Sequence, residues 1–142
     1  MAANGSLHVR FSNEAKDVGL VKSKKQTQYL RSKAAESQGW LCYYCQQPMW
    51  ETDPKSFSAR FGLTDCAALH FRCTAEHLEA RCDGGRDIEE NVVAACRYCN
   101  GNRHKSKRPK DAVYYMELVR SRMKQGRWRP VTLIDSPRPA CR

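Results

Sequence analysis

The chain has 142 residues, of which 28% are charged, and a mean hydropathy of −0.73. A polar chain of this length suits one domain around a modest core, and no apolar run approaches the ~20 residues that a membrane span requires. Its 25 lysines and arginines against 15 acids leave a net charge of +10, so the first partner to expect is a polyanion such as nucleic acid.

The opening residues, "MAANGSLHVRFSNEAK", contain no apolar h-region, so no secretory signal is expected and the reading places the protein in the cytoplasm. Residues 1–22 show no clear period and read as a flexible arm. From Ser23 to Gln38, "SKKQTQYLRSKAAESQ" is rich in helix formers, and Gly39 supplies a stop. "PKSFSARF" (54–61) predicts a short helix. "ALHFRCTAEH" (68–77) has the aromatic and apolar content of a strand, and "NVVAAC" (91–96) that of a second, buried one. The polar stretch "LEARCDGGRDIEEN" joins them and is too long for a tight hairpin.

Beyond Cys99, "NGNRHKSKR" predicts a helix that Pro109 breaks. A further helix is expected from a cap at Asp111 to Gly126, with Val113, Met116, Val119 and Met123 as its core stripe. Residues 127–142 read as an irregular tail. Together these elements make a domain over 23–126.

Eight cysteines would suggest disulfides in a secreted protein, but the spacing argues for metal. Cys42 and Cys45 in "CYYC" form one CxxC pair, and Cys96 and Cys99 form a second. Two such pairs read as a tetrahedral, four-thiolate zinc site with ligands at ~2.3 Å. The separation of the pairs exceeds that of a compact zinc ribbon, so other elements must be inserted between them. Cys66, Cys73, Cys82 and Cys141 show no pairing pattern and read as reduced bystanders.

The run "AEHLEARCDGGRDIEENVVAACRYCNGNRHK" places Glu-His, a Gly-Gly loop, Asn91, the second cysteine pair and an Asn/His pair in one order. It resembles the HNH endonucleases over about residues 40–108. The resemblance implies an α+β fold: a ββα-metal core, here stapled by the four-cysteine zinc, with flanking N-terminal and C-terminal helices. It also implies phosphodiester hydrolysis.

The residue types suit that chemistry on their own terms. A histidine can accept a proton from water at neutral pH, and a divalent ion can stabilise charge developing on phosphate and on the departing 3′ oxygen. On the resemblance, His77 is the general base. Glu76 and Asn100, with His104 four residues further on, hold Mg²⁺ or a similar ion such as Mn²⁺. Asn91 is the residue that pins the loop and orients the base. Gly84 and Gly85 permit the loop's bend.

Glu76 and His77, as neighbours on a strand, can share one site only if the strand ends irregularly. Arg103, Lys105, Lys107 and Arg108 are the expected phosphate contacts. Residues 75–95 hold six acids and two arginines, and residues 100–130 hold ten basic residues and two acids, an arrangement that suits a cation site beside a phosphate surface. The expected partner is DNA, double-stranded foremost, with no membrane. The rival reading is a non-catalytic, zinc-stabilised nucleic-acid-binding module.

Overall fold

The computed structural model describes residues 14–128 and residue 133, and over 14–23 the backbone alone. The expected arm up to residue 13, nearly all of the expected tail and Cys141 lie outside these residues. The fold is mixed α+β. Its elements run α1 (Glu14–Ser37), α2 (Pro54–Phe61), α3 (Asp65–Leu69), β1 (Cys73–His77), β2 (Val92–Cys96), α4 (Arg97–Arg103) and α5 (Ala112–Lys124). No helix among the described residues is long and apolar enough to cross a membrane.

The strands pair antiparallel in the register Cys73↔Cys96, Ala75↔Ala94 and His77↔Val92. Side chains alternate across this hairpin. Thr74 and Glu76 meet α4 through Asn100, Arg103 and His104, whereas the opposite face turns towards α1. Gln38, just past α1, fastens the outer edge of β2. Its Oε1 accepts from Ala94 N (2.9 Å) and its Nε2 donates to Ala94 O (2.9 Å) and Leu41 O (2.8 Å).

The main core joins the cysteine pairs to Ala35, Tyr44, Met49, Ala94, Ala95, Tyr115, Val119 and Trp128. A second core of Trp50, Phe57, Ala68, Phe71 and Leu133 lies under α2 and α3.

Four local expectations are corrected. Helix α1 begins at Glu14 rather than Ser23, so part of the expected arm is helical. Its apolar residues form no stripe, which is why the sequence shows no period, yet glutamate, alanine and lysine extend a helix once it is nucleated. The strand expected over 68–77 begins only at Cys73, because Thr64 caps α3 by accepting from Ala67 N at 3.2 Å.

Helix α4 stops at Arg103. The residues before Pro109 are turn and bend, since proline disfavours helix in its predecessor and Ser106 Oγ accepts from Arg108 N. On α5 Val119 is buried and Met116 and Met123 pack against the main core as expected, but Val113 is exposed and Ala112 and Tyr115 complete the buried face. The Asp111 cap, accepting from Val113 N and Tyr114 N, sets that register, and Tyr115 takes the core position by bonding Cys99 O at 2.8 Å. Helix α2 spans the expected residues, capped by Asp53 and closed by Gly62 at φ 64°.

Candidate active site and metal centre

The two CxxC turns meet at the base of the hairpin. Sγ atoms of Cys42, Cys45, Cys96 and Cys99 are all buried and lie within 4.8 Å of one another, with Cys45 and Cys96 at 3.9 Å. Tetrahedral Zn–S bonds of ~2.3 Å set the sulfurs about 3.8 Å apart, so the donor set fits zinc. Cys96 N donates to Cys42 Sγ (3.3 Å), Cys99 N to Cys96 Sγ (3.4 Å) and the Trp128 indole N–H to Cys99 Sγ (3.3 Å). Such donors support thiolate charge around a metal.

Burial pushes the Cys42 and Cys99 thiols up, while the hydrogen bond to Cys42 lowers Cys45. A bound dication is what makes four buried thiolates tenable together. Elsewhere, Cys66 and Cys82 are exposed and free, and buried Cys73 is pushed up to about 11 by desolvation.

Glu76 is 1% exposed and faces α4. Its Oε1 accepts from the Tyr44 hydroxyl (2.9 Å) and the Arg103 guanidinium, and His104 Nε2 lies 3.1 Å from Oε2. Burial first, then the Glu76 charge, pushes the Tyr44 hydroxyl far up, so it remains a donor. Cis ligands at ~2.1 Å in an octahedron stand about 3.0 Å apart, a separation that Glu76 Oε2 and His104 Nε2 match. They fit two positions of a divalent-ion shell. Asn100 sits one helical turn before His104 and turns its Nδ2 to Thr74 Oγ1 and Ala75 O, both at 3.0 Å.

Arg103 is not available as a phosphate contact. It is 5% exposed and spends its donors on Glu76, His77 O (2.9 Å), Leu78 O (3.0 Å) and Lys110 O (3.0 Å). It ties α4 to the end of β1. Lys105, Lys107 and Arg108 are exposed, in the turn beyond the helix rather than on it.

The irregular strand end expected at Glu76–His77 is absent, since both residues keep their partners on β2. His77 therefore leaves the hairpin on the face opposite Glu76. Its Nε2 lies 2.7 Å from Asp87 Oδ1, and its side chain is 14% exposed. Asp87 also meets Arg81, whose Nη2 is 2.8 Å from both carboxylate oxygens. Burial works to raise the Asp87 carboxyl, but the hydrogen bonds from His77 and Arg81 and the Arg81 charge outweigh it and hold it below the usual range. With Asp87 accepting the Nε2 proton, Nδ1 is the ring nitrogen that carries a lone pair.

Asn91 braces the loop that brings Asp87 back to His77. Its Oδ1 accepts from Glu79 N (2.8 Å), and its Nδ2 donates to Glu79 O (3.1 Å) and Arg86 O (3.0 Å). It reaches His77 only through this loop. Gly84, at φ 98°, and Gly85 allow the fold-back; a Cβ on Gly85 would stand 1.9 Å from Glu79 O.

Asp87, Arg81 and Tyr44 were not singled out from the sequence. Asp87 is one of several loop acids and only the Gly-Gly fold-back before it hints at a return. Tyr44, between the two cysteines of the first pair, reads as a spacer.

A small antiparallel hairpin followed by a helix, with a glutamate and a histidine at its end and a four-cysteine centre at its base, is the architecture expected of a ββα nuclease. Residues 64–106 match the family model of the HNH endonucleases. No curated protein and no solved structure matches the chain.

Proposed function

We propose that the chain is a metal-dependent endonuclease that hydrolyses phosphodiester bonds, in double-stranded DNA foremost, with His77 as the general base. The observation that carries this reading is the His77–Asp87 pair: a mostly enclosed imidazole with one nitrogen held by a carboxylate at 2.7 Å and the other left to accept a proton. Asp87 fixes the tautomer and steadies the imidazolium that forms, the role a buried acid plays beside a catalytic histidine elsewhere. As water oxygen bonds to phosphorus, its proton passes to His77 Nδ1. The P–O3′ bond breaks with its electron pair moving to the 3′ oxygen, which takes a proton from solvent.

Glu76 Oε2 and His104 Nε2, with Asn100 beside them on α4, would hold Mg²⁺ or Mn²⁺. Such an ion supplies positive charge to the phosphate and the departing oxygen. Glu76 and His77 leave opposite faces of β1, so the two act on one phosphate only where it reaches past the end of the strand. Exposed Lys105, Lys107 and Arg108 supply phosphate attraction. Lys105 also lines, with Arg97 and His70, a cleft of about 380 Å³.

The capture of Glu76 Oε1 by Arg103 favours the second reading, a non-catalytic zinc-stabilised nucleic-acid-binding module, because it leaves the acid partly neutralised. Plasmid nicking across a Mg²⁺ and Mn²⁺ titration separates the two. His77→Ala is expected to lose about 10²–10⁴-fold in rate, to keep zinc and DNA affinity, and to gain nothing from added metal, which cannot replace a proton acceptor. Wild-type protein that cuts no nucleic acid with any divalent ion returns the reading to the binding module.

A further inference from the structure

Resting on the nuclease reading, we infer that Arg81 is a further catalytic residue, which binds a non-bridging oxygen of the scissile phosphate beside His77. With Arg103 buried, the half of the site around His77 needs another source of positive charge. Arg81 is placed to provide it. Its Nε lies 3.4 Å from His77 Nε2; since that nitrogen gives its proton to Asp87, the contact is proximity rather than a hydrogen bond.

The donors of Arg81 are unevenly used. Nη2, with two hydrogens, faces three acceptors at 2.8 Å: both Asp87 oxygens and Thr27 Oγ1. Nε reaches Asp87 Oδ1 at 3.2 Å. Nη1 makes no hydrogen bond within the described residues, and the side chain is 53% exposed against 21% for Asp87.

Nε and Nη2 are anchored to Asp87 and, through Thr27, to α1, which leaves Nη1 as the donor open to a phosphate oxygen. A guanidinium so held needs little rearrangement to bring Nη1 to one non-bridging oxygen. Arg81 then bridges Asp87 and the phosphate, so one anchored cation serves both the orientation of His77 and the charge of the transition state.

The test uses a short duplex carrying a single Rp or Sp phosphorothioate at a mapped cleavage position, cut at saturating enzyme by the wild type, Arg81→Ala and Arg81→Lys. Arg81→Ala is expected to slow cleavage about 10²-fold, the scale of removing one transition-state donor, and to change the ratio of Rp to Sp rates, while zinc content is unchanged. Arg81→Lys, which keeps the stem and charge but not the fork, is expected to fall between and guards against a folding defect in the alanine variant.

Wild-type rates in Arg81→Ala, or equal slowing on Rp, Sp and unmodified duplex, would overturn the assignment, the latter because Arg81 would then act only through Asp87. A dead His77→Ala beside an unaffected Arg81→Ala removes Arg81 alone and leaves the nuclease reading. A wild type that cuts nothing removes both.

Discussion

At the scale of single residues, the hairpin end is governed by where two cations sit. Arg103 is sealed against Glu76 at side-chain exposures of 3% and 1%, with Tyr44 held as a donor beside them. Removing one partner of a buried ion pair strands the other in a medium that solvates it poorly. Arg103→Ala is therefore expected to lose about 3–5 kcal/mol of folding stability, read as a lower denaturation midpoint in urea at unchanged slope. A loss within about 0.5 kcal/mol, the surface-substitution range, would mean that the Glu76–Arg103 contact does not hold the hairpin end. Asp87 behaves oppositely with acid to a raised group. Its depressed pKa contributes stability above the unfolded carboxylate value of ~3.9, and that contribution fades as pH falls through the still lower folded value. Across the neutral range it stays a carboxylate and keeps hold of the imidazole.

At the scale of elements, the loop between β1 and β2 does the positioning. Asn91 closes it on Glu79 and Arg86, and Gly85 passes so near Glu79 O that a side chain has no room. Gly85→Ala is expected to push the loop outward at a cost of about 1–3 kcal/mol and to lower nicking through displacement of Asp87, with zinc content unaffected. Differential scanning fluorimetry and elemental analysis on one preparation check both halves. The loop also marks how far the sequence could be read. Cysteine spacing is rigid chemistry, so Cys42, Cys45, Cys96 and Cys99 were legible, as were the β2 run and the Asp111 cap. The His77–Asp87 and Glu76–Arg103 pairings were not, because they depend on which face each side chain takes once the loop folds back and α4 docks. Arg103 looks like Lys105 in sequence; only its seat under the strand end makes it structural.

At the scale of the whole molecule, the four-cysteine centre joins parts of the chain that are far apart, Cys45 and Cys96 being 51 positions from one another. Helix α1, β1, β2, α5 and Trp128 all pack on the core that contains it. Zinc binding and folding should therefore be one event. Purified protein is expected to hold one zinc per chain, and a strong chelator, or pH low enough to protonate the thiolates, is expected to unfold the main core, seen as loss of ellipticity in step with released zinc. Zinc release that leaves the melting temperature unchanged would contradict this.

A two-stranded hairpin would ordinarily leave a row of backbone groups open for another chain to extend. Here the carboxamide of Gln38 imitates a peptide unit, taking both the N–H and the C=O of Ala94. A visiting strand would find that rung already occupied. With Tyr43 N also donating to Ala94 O, Val92 N to Ile88 O and Cys96 N to Cys42 Sγ, the β2 side of the hairpin is closed to strand-by-strand oligomerisation, and to ligands that bind by extending a sheet.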